Sequence, residues 1–125
     1  MKKQLATTNA PAAIGPYSQG VDVNGHVFVS GQLPIDPATG ETAEGGIKGQ
    51  TLQIFKNIEA ILKEADMTLD NVVKTTVFLT DMADFADMNE VYATQFSGTY
   101  PARSAFAVKG LPKNAAIEIE VIAMR

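Results

Sequence analysis

Pro101-Ala102-Arg103-Ser104, then Leu111-Pro112 and the run Ile117-Glu118-Ile119-Glu120-Val121, form the stretch on which fold and chemistry both turn. Strict alternation makes residues 117–121 a strand with one apolar face and one acidic face. An arginine just before one short strand and a carboxylate inside the next are expected to face each other where the two strands pair. Such a site holds one fixed positive charge and one proton acceptor. It suits a small anion that needs a water delivered to it.

Working outward, residues 104–109 and 116–124 read as the last two strands. Residues 72–79 form another, with Val73, Thr75, Val77 and Leu79 expected on one side and Val72, Lys74, Thr76 and Phe78 on the other. Between it and Ser104, Asp81 or Asp84 caps a helix whose stripe is Phe85, Met88, Tyr92 and Phe96. Ile47, Ile54, Phe55, Ile58, Ile61, Leu62 and Ala65 recur at helical spacing and predict a longer helix over residues 47–65. Upstream, Val21-Asp22-Val23, the turn Asn24-Gly25 and the return from His26 to Ser30 read as a β-hairpin. Asp36-Pro37-Ala38-Thr39-Gly40 is a turn, and the stretch to Gly46 a polar loop. With a short strand near residues 3–7, the order β-β-α-β-α-β-β predicts an α/β (α+β) fold. One mixed sheet carries two helices on one face, in a single domain over residues 1–125. The other face of the last strand, Ala116, Glu118, Glu120, Ile122 and Met124, is too apolar to be simply wet and too acidic for a closed core. It is expected to pack against another copy of the chain, leaving a cleft near the carboxylates.

Composition narrows the chemistry. A chain of 125 residues with 46% hydrophobic and 19% charged residues is an ordinary globular domain. A net charge of −4 without a basic block disfavours nucleic-acid binding by phosphate neutralisation. Apolar runs fall far short of a membrane span, and Met1-Lys2-Lys3-Gln4 is followed by no hydrophobic signal core, so a cytoplasmic location is the expectation. There is no cysteine, hence no disulfide, thiolate nucleophile or zinc–thiolate site. A histidine-based metal site or triad would rest on His26 alone, which reads as an exposed turn residue. Asp81, Asp84 and Asp87 have the spacing of helix-cap acids rather than metal ligands, and no metal site is expected.

The candidate residues have plain alternatives. Most single arginines are solvated, but Arg103 follows Pro101 and opens an apolar strand, and its planar fork suits a carboxylate better than lysine does. Glu118 and Glu120 lie two apart, on one face. That face is either solvated or the wall of a cleft in which one carboxylate orients a water. Tyr17 covers a core edge or presents its hydroxyl from the stiff Gly15-Pro16 loop. Ser30 and Gly31 end the hairpin, and Gly31 either marks a bulge or lets a ligand approach the backbone. Asn89 is a site-facing amide or an exposed one.

With these residues in view, the chain resembles the RidA (YjgF/YER057c/UK114) family of reactive-intermediate deaminases over essentially its whole length. The resemblance rests on Asn9-Ala10-Pro11 with Ile14-Gly15-Pro16-Tyr17-Ser18-Gln19, on Val29-Ser30-Gly31-Gln32, on residues 73–79, and above all on Pro101-Ala102-Arg103-Ser104 with Ile117-Glu118-Ile119. It implies a chorismate-mutase-like fold assembled as a homotrimer with three inter-subunit clefts. It also implies that Arg103 grips the substrate carboxylate, that Glu118 rather than Glu120 holds the reacting water, and that Tyr17 comes from the adjoining subunit. Backbone groups at Gly31 and Ala105 complete the implied pocket, with Ser30 and Asn89 as further binding candidates. The implied substrates are small 2-imino acids or their enamine tautomers, shed by pyridoxal-phosphate dehydratases such as those acting on threonine and serine. They are hydrolysed to 2-oxo acids and ammonia without a cofactor. Many members of the family carry cysteine where this chain has Ala105, which removes any thiol-dependent role. Two other readings follow from the resemblance: a non-catalytic binder or sensor of 2-oxo acids, and an endoribonuclease or translation inhibitor. The acidic charge and missing basic stripe speak against the last.

Overall fold

Ile117, Ile119, Val121 and Ala123 alternate with Glu118, Glu120, Ile122 and Met124, and the chain folds around that alternation. The computed structural model describes residues 1–125. Its main sheet has six strands: β1 (Lys3–Leu5), β2 (Gly20–Val23), β3 (His26–Gln32), β6 (Val72–Leu79), β7 (Ala102–Ala107) and β8 (Ile117–Met124). Their spatial order is β1-β2-β3-β8-β6-β7. The last strand in sequence therefore lies mid-sheet, antiparallel to both β3 and β6. Only β6 and β7 run parallel, joined through helix α2 (Phe85–Thr94). A two-stranded ribbon, β4 (Ile35–Asp36) with β5 (Glu41–Thr42), stands where a polar loop was expected.

Helix α1 (Gly46–Lys63) buries Ile54, Phe55, Ile58, Ile61 and Leu62 against one face of the sheet, on the stripe its apolar spacing predicts. Gly49 in its first turn leaves room for the Glu44 carbonyl, which a β-carbon there would strike. Asp81 caps a short 3-10 turn, Met82–Asp84, by accepting from the Ala83 N–H, and that turn leads into α2. The core is one cluster of 21 buried residues between the helices and the sheet. No helix is long and apolar enough to cross a membrane.

Two expectations are corrected here. The first concerns facing in β6. Val72 is buried and Val73 is 43% exposed, because the register against β8 slips between Val72 and Lys74. The extra residue reverses the alternation for Val72 and Val73 and leaves Thr75, Val77 and Leu79 on the core side. The second concerns pairing. β7, which carries Arg103, does not pair with β8, which carries Glu118, since β6 lies between them.

Candidate functional site

β8 places Glu118 opposite Phe78 of β6, on the sheet face away from the helices. On its other side, the β3–β8 register breaks between Val29 and Gln32, so Ser30 and Gly31 form a bulge beside Glu118. Gly31 is where the carboxylate rests. A β-carbon there would overlap Oε2 of Glu118 and stand 2.7 Å from its carboxyl carbon. Burial, and secondarily the charge of Glu120, push the Glu118 carboxyl above the ordinary carboxylate range. Glu118 is half-buried and unpaired while Glu120 is exposed, so the first is the better proton acceptor and donor of the two.

Glu118 lines a cleft of about 650 Å³ with Tyr17, Ser30, Gly31, Leu33 and Lys113 among its walls. Buried amides hold those walls. Gln19 accepts from the Thr7 N–H at 2.7 Å and donates to the carbonyls of Thr7, Ala10 and Pro11, which fixes the N-terminal strap. Asn57 of α1, fully buried, donates to the carbonyls of Leu33 and Ile35. The Ser30 hydroxyl donates to the Ser18 carbonyl at 2.6 Å. Ser30 thus steadies the loop that carries Tyr17, whose side chain is 53% exposed.

Arg103 is elsewhere. It pairs with Thr75 in the β6–β7 register, and Thr75 is on the helix side of the sheet, sharing a 2.7 Å hydrogen bond with the Tyr92 hydroxyl. The Arg103 guanidinium lies 4.7 Å from the Tyr92 ring centre and 5.5 Å from that of Phe85, and donates to Asn89 Oδ1 at 2.7 Å. Stacking and one hydrogen bond hold the fork, with its remaining donors available to an anion. Burial pushes the Tyr92 hydroxyl up, against smaller opposing effects of Thr75 and the Arg103 charge. Asn89, Tyr92, Tyr100, Pro101 and Arg103 line a second recess of about 470 Å³.

The structure therefore brings Tyr17, Ser30, Gly31 and Glu118 together, and separately Asn89 and Arg103. It does not bring Arg103 to Glu118 within one chain, and it groups Tyr17 with Glu118 rather than apart from it. Ala105 pairs with Val77 on the core side of β7, at the free edge of the sheet. Three contributors escaped the sequence reading. Gln19 and Asn57 gave no sign of burial, and Lys113 stood unremarked one residue beyond Pro112, the only hint of a turn there.

Known proteins share this fold. A family model described as endoribonuclease L-PSP matches residues 7–125. A Salmonella typhimurium protein named 2-iminobutanoate/2-iminopropanoate deaminase is 49% identical over 128 aligned positions, covering 100% of this chain and 99% of that one. The crystal structure of RidA from a Psychrobacter species superposes with a TM-score of 0.94 at 48% identity, over 98% of this chain and 99% of that one. That of Escherichia coli TdcF, solved with bound serine, gives 0.94 at 45% identity, covering 98% of each chain. The chain therefore shares the fold of these proteins and belongs to the endoribonuclease L-PSP family, the YjgF/RidA family.

Proposed function

We propose that the chain is a cytoplasmic 2-iminobutanoate/2-iminopropanoate deaminase, working without a cofactor as a homotrimer whose sites lie between copies. The observation that carries this reading is the seating of the half-buried Glu118 carboxylate on Gly31, beside Tyr17 in an open cleft. The name of the Salmonella relative supports it.

Arg103 and Glu118 lie on opposite faces of one sheet, and a carboxylate-bearing substrate of a few atoms cannot span it. A site that uses both takes Arg103 and Asn89 from one copy and Tyr17, Gly31 and Glu118 from the next. A 2-iminium acid carries an electrophilic C=N carbon and needs orientation and a placed water more than a strong nucleophile. The Arg103 fork receives the substrate carboxylate, with a backbone group at Ala105 beside it. Glu118 accepts a proton from water as the water oxygen bonds to the carbon, and the C=N pair moves onto nitrogen to give the carbinolamine. The protonated Glu118 then returns that proton to nitrogen. The C–N bond breaks with its electron pair on ammonia, while the hydroxyl proton leaves the new carbonyl for Glu118 and finally ammonia. One water enters, and one 2-oxo acid and one ammonium ion leave. A raised pKa suits a group that must both take and give this proton. The Tyr17 hydroxyl donates a hydrogen bond to the carbinolamine.

The test couples a threonine dehydratase to semicarbazide, which traps the free imine. The chain should suppress semicarbazone formation while 2-oxobutanoate still accumulates. Undiminished semicarbazone contradicts the reading.

A further inference from the structure

Of the fourteen residues that line the Glu118 cleft, Lys113 alone carries a positive charge. Two carboxylates, Glu118 and Glu120, share that cleft, so its field opposes any anion that enters. Lys113 is exposed and joins no ion pair; the chain's ion pairs are Lys48 with Glu90 and Arg125 with Asp22. Its backbone is unusual as well. Lys113 has φ 57° and ψ 28°, and Asn114 follows at φ 55°, inside the short turn Pro112–Asn114. The left-handed region is strained for a lysine and far easier for asparagine or glycine. Pro112 before it is rigid, so the turn fixes where the side chain leaves the backbone.

We propose that Lys113 is a specificity-determining residue of this cleft, its ammonium offsetting the two carboxylates so that 2-imino and 2-oxo acids are preferred over neutral analogues. This rests on the deaminase reading for its choice of ligand and for the Arg103 of the neighbouring copy. Arg103 of the neighbouring copy still fixes the carboxylate, while Lys113 acts through the field it adds to the cleft. An exposed charge acts in this way at moderate strength and is weakened by salt.

The test is calorimetric binding of 2-oxobutanoate and of its neutral amide, 2-oxobutanamide, to the full chain at two salt concentrations. Lys113→Asn keeps the left-handed backbone and removes the charge, and Lys113→Arg keeps the charge. Lys113→Asn should weaken 2-oxobutanoate binding about five-fold, the size of an exposed charge–charge contact, leave the amide unchanged and flatten the salt dependence. Lys113→Arg should restore both affinity and salt dependence. Equal weakening for acid and amide would mark a merely structural role and overturn the proposal, as would unchanged affinity in Lys113→Asn. Failure of the unmodified chain to bind 2-oxobutanoate overturns it too. Binding without suppression of semicarbazone sinks the deaminase reading alone and leaves the comparison of variants intact.

Discussion

The Glu118 carboxylate joins no ion pair and accepts no hydrogen bond within the chain, and the missing β-carbon of Gly31 gives it space rather than a hydrogen bond. Gly31→Ala should displace it and cut turnover about a hundred-fold, the usual cost of misplacing a catalytic group by an ångström, while the circular dichroism spectrum stays unchanged. Glu118→Gln should abolish turnover and, at neutral pH, raise Tm. The sign follows from linkage. A carboxyl whose pKa is raised on folding favours the native state when protonated, an advantage lost as pH rises through that raised pKa. The uncharged amide keeps it, so the Tm gain over the parent chain should shrink as pH falls through the raised Glu118 pKa. The acid limb of the rate profile should likewise lie above the ordinary carboxylate range, because Glu118 must be ionised to accept the proton of water. Arg103 and Glu118 were both legible from their sequence setting. The buried amides Gln19 and Asn57 were not, because a polar side chain announces nothing about its burial until the backbone carbonyls it serves are placed, and Lys113 was not, because its turn meets the cleft only once the chain is folded.

At the scale of elements, the helices, the hairpin and β6 follow from apolar spacing and the Asn24-Gly25 turn, since period and turn chemistry are local properties. The bulge at Val73 was hidden, and the one at Gly31 stood only as one of two alternatives. The slip at Val73 and the Ser30–Gly31 bulge depend on how β8 registers against two different neighbours, a long-range fact. The central place of β8 was hidden for the same reason, and with it the separation of Arg103 from Glu118. The ties between elements carry the cleft. Asn57→Ala would leave the carbonyls of Leu33 and Ile35 without their α1 partner. It should cost about 2–4 kcal/mol in urea unfolding, the sum of two buried acceptors left unsatisfied. A loss below about 0.5 kcal/mol would show that water or a neighbouring group takes its place.

For the whole molecule, the outer sheet face is the one the helices leave uncovered. Phe28, Phe106 and Met124 are each more than a third exposed there, and Phe78 packs edge-on to Phe106 at 5.5 Å. With Lys74 and Glu120 between them, this surface is mixed enough to stay soluble yet apolar enough to bury. Its mixed apolar and acidic character was legible from the alternation of residues 116–124. The placement of Arg103 and Glu118 on opposite faces of the sheet was not, because it requires knowing which strand separates them. Two inactive chains test whether the proposed site takes Arg103 from one copy and Glu118 from the next. Arg103→Ala retains the Glu118 half-site, and Glu118→Gln retains the Arg103 half-site. Unfolded together in equal amounts and refolded, they should regain about a quarter of the parent's deaminase activity, the fraction of interfaces that receive one intact half from each copy. Activity no higher than that of either variant refolded alone would place both groups in the service of one chain, and the account would fail.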